Sequence, residues 1–257
     1  MNIVEEDRRL VLELLSSAID CGSLYVEYQP QYDNRNDSIV GVEALARLRE
    51  DETQVSPSVF IPLLERLGLA IHIDIFVFES ACRLIRRMLR DGCSVVPVSV
   101  NCSRETIADP RYIPTIELIR ERHSIPASLV RIELTETSSN TDRVREQMTS
   151  LHSLGYVLEL DDFGIGSSGA AALRDLPVDY LKLDASFIRE IDSDRDKRIV
   201  SSIVSLADEL GVGVIAEGVE TLEQNSAVST LGCHCIQGYY YSKPVSGDSL
   251  YRLVSQV

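Results

Sequence analysis

The sequence predicts an α/β chain folded as a TIM-like (β/α)8 barrel whose first strand pair is antiparallel. Three observations predict it. Seven short runs of β-branched and apolar residues each end on a carboxylate, an amide or a lysine, amphipathic helical segments separate most of them, and only a short polar turn separates the first two strands. A crossover helix does not fit in that turn, so those two strands must pair antiparallel. In a barrel the C-terminal ends of the parallel strands converge on one mouth. Polar groups scattered from position 43 to position 237 thereby become neighbours.

The elements follow in order. An opening helix is expected over 3–21, then the strand LYVEYQPQYD at 24–33, a turn at Asn34 to Asp37, and the strand IVGVEAL carrying Glu43. Ser56 to Leu67 has Ser-Pro at a helix start, and Ile71 to Leu89 alternates as a long amphipathic helix. The strand SVVPVSVN ends at Asn101, LVRIELTE carries Glu133, YVLELDD ends at Asp161 and Asp162, and YLKLD carries Lys182. GVGVIAEGVE carries Glu217 and CHCIQG carries Gln237. Further helices are expected near 112–122, 142–154, 194–210, 220–230 and 246–256, and IDSDRD at 191–196 reads as a solvated loop. Neighbouring strand residues face opposite sides, so Asp161 and Asp162 can serve one site only if the strand has ended there and the chain is turning, as Gly164 suits.

Composition narrows the function. The 257 residues, 44% hydrophobic, fit a single barrel domain over 1–257 with no linker. The longest apolar stretches have strand length and the N-terminus is charged, so the sequence reads as cytoplasmic, with no membrane segment. Six cysteines occur without a CxxC pair, and Cys233, His234 and Cys235 read as part of one strand; reduced thiols are expected, with zinc the alternative. His72, His123, His152 and His234 read as structural or surface residues. A net charge of −15 argues against a nucleic-acid polymer as partner. A small phosphate ester remains compatible with such a chain when divalent ions stand between carboxylates and phosphate.

The ordered motifs carry a resemblance. YQP at 28–30, Glu43-Ala44-Leu45 within the ExLxR pattern Glu43, Leu45 and Arg47, FIP at 60–62 followed by Glu65, and VNCS at 100–103 come first. IELTET at 132–137, DDFGIG at 161–166, LPVDYLKLD at 176–184, AEGVET at 216–221 and QGYYYSKP at 237–244 follow. In this order the chain resembles the EAL domain, the phosphodiesterase module of cyclic-di-GMP signalling, over essentially its whole length.

The resemblance implies two Mg2+ or Mn2+ ions, with Ca2+ inhibitory. Hard divalent ions take oxygen ligands, and phosphodiester cleavage profits from a pair of them. By similarity, Glu43, Asn101, Glu133 and Asp161 would hold one ion, and Asp161 would bridge to a second held by Asp162 and Glu217. Water activated there would attack phosphorus in line and expel the 3′ oxygen, leaving the linear dinucleotide pGpG. Lys182 would position the nucleophile or stabilise phosphoryl charge, acting as a base only with a strongly depressed pKa, and Gln237 would hydrogen-bond the water network. Arg47 would clamp a substrate phosphate, and Gln29, Leu45, Glu220 and Pro244 would lie near the guanines or the sugar-phosphate backbone. Glu136 would anchor the loop after Asp162, which in the family links the metals to a homodimer interface. Here that loop reads Ile165, Gly166, Ser167, Ser168, Gly169, Ala170, where the family usually has Thr or Ser and then Gly-Tyr-Ser-Ser. A cyclic-di-GMP phosphodiesterase is therefore expected, with a weak or inactive receptor or interaction module as the alternative.

Overall fold

The computed structural model describes residues 3–51, 53–135, 142–164 and 173–255. Glu136 and the loop Ile165 to Ala170 lie outside the described residues. Helix α1 (Ile3–Cys21) leads into strands β1 (Leu24–Asp33) and β2 (Ser38–Glu50), joined by the expected turn. β3 (Thr53–Val55), α2 (Pro57–Arg66) and α3 (Ala70–Asp91) precede β4 (Val98–Asn101). Then come α4 (Arg104–Ala108), α5 (Tyr112–His123), β5 (Val130–Thr135), α6 (Asp142–Ser153), β6 (Val157–Phe163) and β7 (Tyr180–Leu183). α7 (Ala185–Arg189), α8 (Asp194–Leu210), β8 (Gly213–Glu217), α9 (Leu222–Thr230), β9 (Cys235–Gln237), β10 (Val245–Ser246) and α10 (Gly247–Val254) complete the chain.

Eight strands close on themselves in the order β1, β2, β4, β5, β6, β7, β8, β9, with β3 and β10 added at the rims. β1 runs antiparallel to both of its barrel neighbours, β2 and β9, while β2, β4, β5, β6, β7, β8 and β9 run parallel. The antiparallel opening pair is therefore observed, and the reversal also sets how the barrel closes.

Alternation along each strand sorts the side chains. Val42, Val98, Val100, Ile132, Leu158, Leu160, Leu181 and Ile236 are fully buried and join one apolar core with Phe78, Ile85, Ile116, Val144 and Leu151 of the surrounding helices. The alternate positions, Glu43, Ser99, Arg131, Glu133, Glu159, Lys182 and Gln237, point the other way and are also buried. The barrel interior is thus polar and the main apolar core lies between strands and helices. A smaller cluster of Leu15, Leu24, Phe60, Leu64, Leu69 and Ile73 ties α1 to α2 and α3.

Helix starts follow side-chain chemistry. Ser103, Ser193 and Ser246 each accept a backbone N–H at the first turn, and Thr221 with Gln224 forms a reciprocal capping box. Ser193 overturns the reading of 191–196 as a solvated loop. Ile191 is buried there, and α8 begins at Asp194, because a serine preceding an acidic first turn makes a good helix start. A second correction concerns Cys233 and His234, which precede β9; only Cys235 of that trio lies on the strand. All six cysteines are unpaired.

Candidate active site

The pairing register brings the strand ends level. Glu43 of β2 lies across from Gln29 of β1, Asn101 pairs with Glu133, and Glu217 pairs with Gln237. Lys182 is 1% exposed at the centre of these ends. Its Nζ stands 2.7 Å from Glu217 Oε1, 3.3 Å from Glu43 Oε2 and 3.5 Å from Asp161 Oδ1, and it also donates to Glu133 Oε1. Asn101 Nδ2 donates to Glu43 Oε1 at 3.0 Å, and Gln237 Nε2 donates to Glu43 Oε2. Gln29 Nε2 reaches the carbonyl of Ser242 at 3.4 Å. Six polar residues from six strands thus share one contact network around Lys182.

The backbone at the two aspartates differs from the turn expected there. β6 does not end at Asp161 but runs on to Phe163 through a bulge, marked by a register shift against β7 between Leu160 and Phe163. Asp162 takes the left-handed conformation, with φ of 55°, inside that bulge. One extra residue in a strand breaks the alternation, so adjacent side chains need not face opposite sides. Gly164 follows with φ of 96°, and a Cβ there would lie 2.6 Å from the Phe187 ring. Only glycine meets both conditions.

Charge is concentrated and shielded. Burial, followed by repulsion from Glu43, raises the Glu133 carboxyl well above its usual range. Enclosure likewise raises Glu217 to about 8, with Lys182 opposing and Asp161 and Glu43 adding to the rise. For Lys182, burial alone would lower the ammonium's pKa, but Glu133, Glu217, Glu43 and Asp161 together outweigh it and hold it well above its ordinary value. In the metal-free site Lys182 is therefore held as the ammonium.

Two buried oxygens, Glu133 Oε2 and Asp161 Oδ1, have no hydrogen-bond donor. Four carboxylates facing one ammonium, with two acceptor atoms lacking donors, form a donor set that suits hard divalent ions. Among the described residues no three His, Cys, Asp or Glu side chains already converge as an ion-coordinating cluster; the Lys182 ammonium stands among them instead.

A cavity of about 670 Å³ opens beside this centre, lined by Glu43, Leu45, Arg47, Asn101 and Glu133 together with Pro57, Ile61, Glu65 and Asp74 of the neighbouring helices. Arg47 points into it while its Nε holds Glu27 Oε2 at 2.8 Å. Glu220 is exposed, and its backbone N–H donates to Gln224 Oε1; neither it nor Pro244 is among the described residues lining this cavity. The histidines sit elsewhere: His123 near Glu79, His152 near Asp179, His234 on Asn34, and His72 on the exposed side of α3.

Sequence reading missed a second polar layer. Arg131 and Glu159 lie two residues before Glu133 and Asp161, on the same faces of β5 and β6, and pair at 2.9 Å inside the barrel. Gln31, two residues after Gln29, is fully buried beside them. The period of two was the available signal. Asp74 of α3 was also missed; it accepts the Ser103 backbone N–H at 3.0 Å behind Asn101.

Comparisons with known proteins place the chain in a family. The EAL domain family model matches residues 12–244. MucR of Pseudomonas aeruginosa, a bifunctional diguanylate cyclase/cyclic di-GMP phosphodiesterase, is 33% identical over 260 residues, covering 99% of this chain and 38% of MucR. The cyclic di-GMP phosphodiesterase NbdA of the same organism is 34% identical over 237 residues, covering 91% of this chain and 30% of NbdA. The chain therefore spans about a third of the length of each of these relatives. Among solved structures, the PaMucR phosphodiesterase in complex with c-di-GMP superposes with a TM-score of 0.87 at 33% identity, covering 94% of this chain and 99% of that one. Matched over nearly its whole length, with the closed mixed barrel in place, the chain belongs to the EAL domain family.

Proposed function

We propose that this chain is a cyclic-di-GMP phosphodiesterase that opens its substrate to linear pGpG with Mg2+ or Mn2+. The observation that carries the reading is the ring of Glu43, Glu133, Asp161 and Glu217 around one buried lysine, with Glu133 Oε2 and Asp161 Oδ1 lacking donors, beside a cavity that holds an arginine. Glu43, Asn101, Glu133 and Asp161 would hold one ion, and Asp161, Asp162 and Glu217 a second. Bound there, the ions supply charge neutralisation at the phosphate and acidification of water.

The remaining work falls to the chain's own groups. Arg47 is held by Glu27 through Nε and by the Ala46 carbonyl through Nη1, and its remaining N–H groups, chiefly those of Nη2, would meet a phosphate in the cavity. Lys182, buried among the four carboxylates, would stabilise negative charge that develops on the phosphoryl group. Gln237 and Asn101 fix the Glu43 carboxylate from two sides. The near-complete burial of Glu43, Glu133 and Lys182 excludes bulk water, which strengthens these contacts. Gln29, Leu45, Glu220 and Pro244 belong to the reading as base or backbone contacts, Glu136 as loop anchor, and a homodimer as the assembled form.

The test is incubation of the purified protein with cyclic-di-GMP and Mg2+ or Mn2+, following pGpG by chromatography. Product is expected with either ion and none after chelation. Saturable binding without product would overturn hydrolysis and establish a receptor.

A further inference from the structure

The interior layer beneath the site has a direction. Arg131 can only donate hydrogen bonds and ionised Glu43 can only accept them. Between them stand the amides of Gln31 and Gln237. Arg131 Nη1 donates to Gln31 Oε1 at 3.3 Å, which leaves Gln31 Nε2 to donate to Gln237 Oε1 at 2.9 Å. Gln237 Nε2 must then face the mouth, where it donates to Glu43 Oε2 and lies 3.4 Å from Gln29 Oε1. Either amide turned over would set two acceptors or two donors against each other. The fixed ends therefore determine both orientations.

Arg131 is itself held from three sides. It pairs with Glu159 at 2.9 Å, reaches the carbonyl of Val40 at 3.4 Å, and lies 4.6 Å from the centroid of the Tyr180 ring. Gln31 is fully buried. Across from it in the register stands Gly41, where a Cβ would lie 2.4 Å from Gln31 Oε1. Any side chain at 41 would displace the Gln31 amide from Arg131.

We propose that Gln31, oriented by Arg131, is a positioning residue for the phosphodiesterase reaction, fixing the Gln237 amide with its NH2 group toward Glu43. The inference rests on the hydrolase reading above. A reversed Gln237 would present its carbonyl to the Glu43 carboxylate and push that group away from Asn101 and Lys182. Glu43 would then be misplaced for every role assigned to it, although no residue of the mouth had changed.

The deciding variant is Gln31→Glu, nearly identical in shape. Its carboxylate still accepts from Arg131 but cannot donate to Gln237, so the Gln237 amide turns over to donate downward. Partners that orient a catalytic ligand typically contribute about 10- to 100-fold, so kcat should fall at least about tenfold. Cyclic-di-GMP affinity should change less than about threefold, because Arg47 and Leu45 lie on other contacts. In a Gln237→Ala background the same substitution should cost less than about twofold, since the relay has lost its end. Equal losses in both backgrounds would show that Gln31 serves only the packing of the barrel and would overturn the proposal. Should Gln31→Glu not fold, Gln31→Met, which removes both bonds at similar volume, carries the same comparison.

A second readout is independent of turnover. The Gln237 side-chain NH2 signal, identified by its loss in Gln237→Ala, should show NOE contacts to the Glu43 side chain in the parent and to the side chain at position 31 in Gln31→Glu, where the amide has turned over. Contacts unchanged between the two proteins would overturn the relay. A wild-type protein that binds cyclic-di-GMP without cleaving it would sink the hydrolase reading, while these contacts would still decide the orientation.

Discussion

Replacing Lys182 with methionine removes the one cation that, among the described residues, pairs with the four carboxylates at the strand ends. In the metal-free protein, burial raises the Glu133 carboxyl well above its usual range and Glu217 to about 8. Glu43 and Asp161 then face Lys182 at 3.3 and 3.5 Å. Without the ammonium the site must take up one further proton. Protonating a carboxylate of pKa about 4 costs about 3 kcal/mol at pH 6 and about 5 kcal/mol at pH 8. For a chain of this size each kcal/mol moves Tm by about 2–4 °C, so Lys182→Met should lower Tm by roughly 6–12 °C at pH 6 and roughly 10–20 °C at pH 8. The sign follows from the raised carboxyl pKa values: protonated carboxyls suit the folded state, and their contribution is lost as pH rises. Mg2+ or Mn2+ should restore most of the loss by supplying the missing charge. The assay is thermal unfolding of both proteins in chelator and in excess Mg2+ at the two pH values. A variant melting within about 2 °C of the parent in chelator at both pH values would refute the charge-balance argument.

Four further outcomes are expected. Asp161→Asn should abolish metal-supported turnover while the fold survives, because one carboxylate is assigned to both ions; near-normal hydrolysis in saturating Mg2+ would remove the two-metal assignment. Ca2+ should bind without supporting catalysis, since it takes more ligands at longer distances, and turnover matching that in Mg2+ would contradict this. Gly164→Ala should destabilise the protein by about 1–3 kcal/mol, from the left-handed backbone and the Phe187 ring 2.6 Å away, measured by denaturant unfolding. Asp74, whose carboxyl is raised to about 6 by burial, should make the parent lose up to about 3 kcal/mol relative to Asp74→Asn as pH rises from 4 through 6, and parallel stability curves would exclude it.

The mouth was legible because two simple rules act together. Parallel strands bring their C-terminal ends to one rim, and a period of two puts the last inward residue of each strand into the same ring. Glu43, Asn101, Glu133, Asp161, Lys182, Glu217 and Gln237 were all found that way, and the contacts around Lys182 join six of them directly to it or to Glu43. The bulge at Asp162 was not legible, because a bulge depends on a register shift against a neighbouring strand rather than on local composition. Short pieces such as β3, α4, α7 and β10 escaped for a related reason: they span 3, 5, 5 and 2 residues, too few for a periodic pattern. Arg131 and Glu159 were visible as residues but not as a layer, since they read as ordinary strand charges until the barrel closes around them.

The reversed strand explains how this second layer is built. In β1 the mouth lies toward the start of the strand, so Gln29 is level with Glu43 and Gln31 stands one step deeper, level with Gly41. A parallel strand contributes its last inward residue to the mouth; β1 instead contributes Gln29 and then descends toward the layer of Arg131. At these two levels, 29 and 31, β1 carries amides, each able to donate and accept at once. Carboxylates in the same places would add acceptors to a site that already holds four and could not pass a hydrogen bond from Arg131 to Gln237. The antiparallel opening therefore does more than close the barrel: it runs a directional chain of donors from the buried Arg131 up to the carboxylate that gives the EAL motif its first letter.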